Sequence, residues 1–482
     1  MHRIERYNII IFSGECRNFD EKSVYIKEEN MEKLFKLKEH NTTVKTELTA
    51  GLTTFLSMVY ILAVNPSILG DAGMDPAAVF TATAVSAAIA SLLMAFLANY
   101  PIALASGMGL NAYFSYTVCT ELAKQGIQDP WKIALAAILV EGIIFILLSL
   151  VKFRETLVNK VPANLKLGIT SGIGLFIAIV GLKGAGIVVS EPSTLLTLGD
   201  VSSPQVVLAL VGLIIIAVLY HFNVKGSILI GILVTWIFGM IAQVGGWYVV
   251  NPEAGNSSLF PSFDGGFAPT APTMFAFDFS YVSGHLIDFA VIVFSFLFVD
   301  LFDTAGTLIG VASKANLLDK DGNLPKVGGA LMSDAIGTVV GACMGTSTVT
   351  SYVESSAGVA QGGRTGLTAV TAAGLFIVAL FFSPIFIAIP SFATTPALVF
   401  VGLLMISSVK NMDFSEDMAG AVGGFLAIIM MPFTYSIANG IMFGILAFVL
   451  IKVFTGKVKD IHPVMWISAA LFALKIVTLI IK

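Results

Sequence analysis

The residues of this chain whose types could do chemistry are few, and they stand inside apolar runs. Asp300 and Asp303 fall in FLFVDLFDTAGTLIGV, and Glu354 falls in TSTVTSYVESSAGVAQGGRTG. A charge at the centre of a bilayer costs about 2.5–3.5 kcal/mol on insertion scales, so an ionisable residue there is functional by default. Only these three acids are expected within spans, the others in loops. Asp300 and Asp303 are spaced i,i+3 and share a helix face, which Thr304 and Thr307 continue. All four are expected to point into the bundle. A buried acid can also pair with a base or cap a broken helix, but no Lys or Arg lies in the same spans. Function therefore outweighs a purely structural part for Glu354 and Asp300. Asp303 fits a transport role and the holding of a helix break or cytoplasmic gate equally well.

A second polar site is Asn111, in ALASGMGLNAYFSYTVC, followed by Tyr113 and Phe114. Its amide both donates and accepts. Gly107 and Gly109 beside it are explained by close helix packing alone. Asn65-Pro66 marks a helix end or kink. GGRTG at 362–366 lacks the Lys-Ser/Thr of a phosphate loop and reads as a cytoplasmic turn carrying Arg364. No nucleophile–base set, metal cluster or nucleotide motif is present, so the sequence supports no enzyme chemistry.

The elements that must position these residues are membrane spans. Of 482 residues, 56% are hydrophobic and only 12% charged, with 45 glycines besides. A soluble domain carries about 25% charged residues. That excludes an ordinary soluble enzyme and a disordered chain. A net charge of -4 offers no basic surface for nucleic acid. Cys16, Cys119 and Cys343 are scattered and suggest neither a disulfide framework nor a zinc site. The start is not a signal peptide, and residues 1–30 read as a disordered tail, with Met31 opening a cleaner start. What remains is an all-α polytopic membrane protein with the lipid bilayer as partner.

Apolar stretches of spanning length follow one another from 48 to 481. Lys33, Lys36, Lys38 and Lys45 at the start, Lys152, Arg154, Lys160 and Lys166, and Lys314, Lys320 and Lys326 mark cytoplasmic loops. The loop 251–282, with Glu253, Asp264 and Asp278 and no Lys or Arg, is expected outside. Seven spans on either side of it then have opposite orientation, an inverted repeat. The domains read as a cytoplasmic tail at 1–45, repeats at 46–250 and 283–454 around the external loop, and a leftover apolar segment within 455–482. That segment could span, lie at the interface or pack on the bundle. The third span of each repeat, 101–119 and 348–360, is short and rich in Gly, Ser and Thr. Broken spans in matching places point to a transporter site, with half-helix N-termini aimed at the midplane.

TELTAGLTTFLSMVYILAVNPSIL at 46–69, GMGLNAYF at 107–114, FVDLFDTAGTLIGV at 298–311 and GTSTVTSYVESSAGVAQGGRTGLTAV at 345–370 resemble the AzgA-like purine permeases of the nucleobase:cation symporter-2 class. The likeness runs from about residue 32 to 480. It implies a uracil-permease-like fold of about fourteen membrane segments in a 7+7 inverted repeat, with core and gate domains and short strands in segments 3 and 10. It implies binding residues at Asn111, Asp300, Asp303 and Glu354, and a plasma-membrane carrier of hypoxanthine, guanine and possibly adenine, usually with a proton. Relatives commonly dimerise through the gate domain, so a homodimer is an expectation.

Purine bases are flat, neutral and rich in N–H donors, which a buried carboxylate accepts. The expected substrate contacts are Asn111, Asp300, Glu354, Phe114 and Ser355, with aromatic rings for stacking. Asp303, Glu354 and Thr304 are expected to couple or gate. A carboxylate in low dielectric holds a proton more readily than one in water, so Asp300 or Glu354 could load a proton outside and release it inside, with no cofactor. The alternatives are a carrier of xanthine or uracil, an anion exchanger on the same fold, a channel, or a membrane enzyme. An anion site should avoid acids, and a channel suits a continuous pore better than one central acid cluster.

Overall fold

The structure is a computed structural model that describes residues 31–150, 161–251, 257–262, 272–317 and 324–481. The expected tail at 1–30, the basic residues Lys152, Arg154, Lys160 and Lys320 and the acids Glu253 and Asp264 lie outside the described residues.

In the first repeat the helices are α1 (Val44–Met58), α2 (Ile61–Gly70) and α3 (Pro76–Leu97), then strand β1 (Leu104–Ser106) and the short α4 (Met108–Ala112). α4 runs on through a π-helical turn, Tyr113–Cys119, into Thr120–Lys124. Next come α5 (Pro130–Leu150) and α6 (Ala163–Gly184), a hairpin of β2 (Val188–Glu191) and β3 (Leu195–Leu198), and α7 (Pro204–His221) and α8 (Ser227–Val244). The second repeat opens with α9 (Leu286–Lys314) and α10 (Val327–Met344), followed by strand β4 (Val349–Ser351) and the short α11 (Ser355–Ala360). α12 (Gly366–Ala379), α13 (Ser391–Ile406), α14 (Met418–Phe433) and α15 (Ile437–Phe454) follow, and α16 (Pro463–Ile481) ends the chain. Among the described residues, ten helices are long and apolar enough to cross a membrane. The strand–half-helix segments occupy the third place of each repeat, where Gly, Ser and Thr replace the aliphatic run.

Local sequence explains where the helices begin. Thr43 caps α1 by accepting from the Thr46 N–H, and Asp75 caps α3 with Pro76 in its first turn. Thr365 caps α12. The expected kink at Asn65-Pro66 is displaced: the chain breaks at Val59–Tyr60 and Pro66 lies inside α2. Proline removes the bond to the carbonyl four residues earlier and crowds it. The tightening lies further back, at the turn itself, with N–H groups of Leu62 and Ala63 bonded three residues back to Val59 and Tyr60.

The helices pack as two sets. α3 packs on α10 and α12, α5 on α9 and α10, and α1 on α11 and α12. α6 packs on α13, α14 and α15, and α7 on α8 and α13. The second set approaches through small residues: a Cβ added to Gly168 would lie 2.6 Å from the Gly424 carbonyl oxygen. Such contact brings backbones together and gains dispersion where lipid offers no hydrophobic drive.

Candidate functional site

The site is built where the two broken spans cross. β1 and β4 pair antiparallel, with Leu104 opposite Ser351, Ala105 opposite Thr350 and Ser106 opposite Val349. The Gly107 N–H to Thr348 O (3.0 Å) and Tyr352 N–H to Ala103 O (3.1 Å) bonds extend the ladder at both ends. This pairing satisfies backbone groups that an extended segment would otherwise leave bare within the bundle. It also puts Asn111 just after one strand and Glu354 just after the other.

Glu354 stands at the N-terminal end of α11, partly exposed, and its Oε1 accepts from the Tyr60 hydroxyl at 2.5 Å. Asp303 is also partly exposed and lies close enough to Glu354 and Asp334 to feel their charge. Gly107 makes room here: a Cβ on it would meet Thr350 Cγ2 at 2.6 Å and stand 3.7 Å from Asp303 Oδ2. The Tyr352 hydroxyl donates back to the Ser106 carbonyl at 2.5 Å.

Asn111 is fully buried. Its Oδ1 accepts from Ser106 Oγ at 2.8 Å and from the Ser347 hydroxyl, while its Nδ2 has no hydrogen-bond partner among the described residues. Ser106 is 3.0 Å from Ser347, and Thr346 reaches Asn65, which also donates to Thr83. A chain of hydroxyls and amides therefore ties α2 and α3 to both broken spans.

Asp300 is fully buried, one turn from Thr304, whose hydroxyl is 3.1 Å from Asp300 Oδ1, 2.9 Å from Asp334 Oδ1 and 2.8 Å from Thr350 Oγ1. Thr304 has one proton to donate. It thus sits at a junction between two carboxylates and the strand that leads to Glu354. Asp303, three residues on, lies beside Gly107, which packs on the same Thr350. Thr307, 8% exposed, continues the inward face.

Ser355 is buried, and its Oγ accepts from the Ala103 N–H at 3.1 Å, which secures β1 to the second repeat. Phe114 is fully buried in the apolar core. The ring of Tyr113 beside it packs edge-on against Phe296 at 4.8 Å. Arg364 stands in its turn with the guanidinium donating to the carbonyls of Val359 and Gly363, both at 2.7 Å.

The expectation that only three acids lie within spans is corrected. Glu47 in α1, Glu141 in α5 and Asp334 in α10 are all fully buried. Glu141 Oε2 accepts from Thr348 Oγ1 at 3.0 Å, on the approach to β4. Glu47 accepts from the N–H groups of Arg364, Thr365 and Thr368 and from the Thr368 hydroxyl (2.6 Å) at the start of α12. The insertion cost that singled out Asp300 applies equally to Glu141 and Asp334, so that signal was in the sequence. Tyr60 gave no such signal, since a tyrosine in an apolar run costs little.

Comparison with known proteins agrees with this architecture. A model of the Permease family (Xan_ur_permease) matches residues 45–443. A putative permease of Methanocaldococcus jannaschii is 47% identical over 93% of this chain and 98% of its own. Guanine/hypoxanthine permease PbuO of Bacillus subtilis is 46% identical over 92% of this chain and 99% of its own. Adenine permease AdeP of Escherichia coli is 42% identical over 93% and 96%. Among solved structures, the transmembrane domain of the cyanobacterial bicarbonate transporter BicA aligns with a TM-score of 0.63 at 16% identity, covering 82% of this chain and 96% of that one. The murine anion transporter Slc26a9 aligns at 0.62 and 13% identity, over 94% and 74%. These two share the fold, the uracil-permease-like one. The chain belongs to the permease family, as a multi-pass membrane transporter among the purine permeases of the nucleobase:cation symporter-2 class.

Proposed function

We infer that this chain imports purine nucleobases (hypoxanthine, guanine and adenine) across the plasma membrane by alternating access. The N-terminus is cytoplasmic, the coupling ion is a proton, there is no resident cofactor, and the carrier is a homodimer. The observation that carries the reading is the partly exposed Glu354 carboxylate just after β4, with Asn111 just after β1, its partner strand in the crossing. A carboxylate accepts the N–H edge of a neutral base. Relatives named for guanine, hypoxanthine and adenine, matched over nearly their whole lengths, support the substrate class. The acids weigh against anion transport, whatever the solved relatives carry.

In this reading Asn111, Asp300, Glu354, Phe114 and Ser355 form the binding region. Asp303, Glu354 and Thr304 link its occupancy and proton to movement. Uptake of labelled hypoxanthine in cells lacking other purine carriers, with a panel of competing purines and with or without a pH gradient, tests it. Uptake that collapses with the gradient and is blocked by guanine is expected. No accumulation of any purine would overturn the reading.

A further inference from the structure

Asn65 is fully buried in α2, and its amide meets threonines of two other elements. Its Nδ2 donates to Thr83 Oγ1 in α3 at 2.7 Å and to Thr346 Oγ1, just ahead of β4, at 2.8 Å. Thr83 spends its own proton on the Val79 carbonyl at 2.6 Å. Toward Asn65 it is therefore an acceptor, which makes the atom facing it the amide nitrogen. Both N–H groups of Asn65 are then engaged. Thr346 receives one of them and has its own proton to give. Its nearer acceptor is Ser106 Oγ at 3.3 Å, against 3.5 Å to Thr83, which Asn65 already serves.

The direction of these protons fixes the amide of Asn111 as well. Ser106 and Ser347, 3.0 Å apart, both lie within hydrogen-bond distance of Asn111 Oδ1. Each hydroxyl has one proton. With Ser106 receiving from Thr346, the two serines hold two protons, and at most one is used between the pair. The other goes to Asn111, so the atom of Asn111 facing the serines is its oxygen. Its amino group is turned away from them, buried and without a partner among the described residues. A buried donor left without an acceptor is costly. Asn111 stands one turn after Gly107, with its N–H bonded to the Gly107 carbonyl at 2.8 Å. A Cβ on Gly107 would lie 3.7 Å from Oδ2 of the partly exposed Asp303. The unpartnered donor thus belongs to the turn of α4 that begins beside the acids of the site.

We propose that Asn65 is a positioning residue for the base: by lending a proton to Thr346 it stops that hydroxyl from drawing the serine protons away, and so holds Asn111 with its amino group presented as a donor to an acceptor atom of the purine. This rests on the purine reading given under Proposed function and gives the polarity of one contact in it. Glu354 accepts from an N–H of the base, and Asn111 donates to a ring nitrogen or to the exocyclic oxygen. Asn65 acts through Thr346, Ser106 and Asn111. The donor is thereby set before the base arrives.

The test measures competition against labelled hypoxanthine by hypoxanthine itself and by analogues that each lose one acceptor: 3-deazahypoxanthine, 7-deazahypoxanthine and 6-mercaptopurine. In the wild type at least one analogue should compete about tenfold or more less well than hypoxanthine, because it leaves the Asn111 amino group unpaired. Asn65→Asp keeps the shape and puts an acceptor in place of the amino group. Thr346 then gives its proton to the new carboxylate and accepts from Ser106, Ser106 accepts from Ser347, and the Asn111 amide turns over. The penalty for that analogue should shrink to within about threefold of unity. Thr346→Val costs Asn65 a partner but removes the hydroxyl that would draw the serine protons, so the penalty stays whatever happens to overall affinity. A structural defect in Asn65→Asp alone would weaken all bases together and leave the penalty unmoved, and that outcome overturns the proposal. So does a penalty lost in Thr346→Val, or a wild type in which every analogue competes as hypoxanthine does. If Asn65→Asp fails to reach the membrane, the wild type and Thr346→Val decide: a penalty kept in both supports the proposal, and its absence from either overturns it. Wild-type protein that carries no purine would defeat the purine reading itself, an outcome distinct from an unmoved penalty.

Discussion

At the scale of single residues the site is a set of carboxylates separated by hydroxyls. Thr304 is the clearest case, because one hydroxyl lies within hydrogen-bond distance of Asp300, Asp334 and Thr350. Replacing it by valine keeps the shape and removes the only proton it lends. Buried acceptors that lose a donor cost about 1–3 kcal/mol, more when charged. Thr304→Val should therefore lower the unfolding midpoint in detergent by several degrees and cut uptake at least tenfold. Thr304→Ser, which keeps the hydroxyl, should recover most of both. Equal behaviour of the two variants would show that the hydroxyl does not matter. Glu354 makes a different prediction. Glu354→Gln retains a hydrogen-bonding side chain but cannot carry a proton, so accumulation against a gradient should vanish while exchange of base for base survives. Unchanged pH-dependent accumulation in Glu354→Gln would remove this residue from the coupling step.

At the scale of elements, the question is what holds a strand–half-helix segment where an unbroken helix would be cheaper. Part of the answer is the β1–β4 ladder, and part is capping from a distance. Glu47 in α1 gathers three N–H groups and a hydroxyl at the start of α12, joining α1 to the turn that follows α11. Loss of an N-cap costs about 0.5–2 kcal/mol. Glu47→Ala takes the carboxylate from three N–H groups and the Thr368 hydroxyl at once, so its thermal midpoint should fall further than that of Asp75→Ala, which loses one bond at α3. Equal shifts in a melting assay would count against this role. The broken spans themselves were legible in the sequence, because Gly, Ser and Thr in place of aliphatic residues mark backbone that is not plain helix. The pairing of Ser106 with Val349 was not, since a three-residue strand carries no readable periodicity. Asp300 and Asp303 stood out by insertion cost and share a helix face by their i,i+3 spacing; Thr304 ties Asp300 to Asp334 and Thr350, and Thr350 also lies at Gly107 beside Asp303. Asn65-Pro66 announced a disturbance, but the turn stands at Val59–Tyr60, before the Leu62 carbonyl that Pro66 crowds, so the proline alone does not account for it.

At the scale of the whole molecule, alternating access requires the two helix sets to part at one mouth and meet at the other. One full span from Val44, the sets meet through aromatic rings. Tyr116, beyond α4, donates to Asp71 at 2.7 Å and stands 6.1 Å from the ring of Tyr435. Tyr435 lies between α14 and α15 with φ 51, packs edge-on to Phe176 at 5.4 Å, and carries the Lys183 ammonium 4.4 Å above its ring. At the other end the described polar bridge is thinner: Lys225 Nζ to Gln361 Oε1, 2.7 Å, in an exposed setting. A cation over an aromatic face contributes about 0.5–2 kcal/mol. Lys183 and Tyr435 belong to the same helix set, so this contact acts on closure by holding the Tyr435 ring against Tyr116 of the other set; if all of that energy favours the closed mouth, removing it shifts the open population by about 2- to 30-fold at 1.4 kcal/mol per decade. Lys183→Met keeps the aliphatic stem and deletes the charge. A cysteine at Ala112, which is 1% exposed and lies one turn below Tyr116, would report the change in a background free of Cys16, Cys119 and Cys343. Its labelling by an impermeant maleimide added outside should quicken several-fold when Lys183→Met is introduced, and excess purine should slow or speed both proteins in the same direction. An unchanged labelling rate would mean that the cation over Tyr435 adds nothing to closure, and that the Tyr116–Tyr435 ring contact holds this mouth without it.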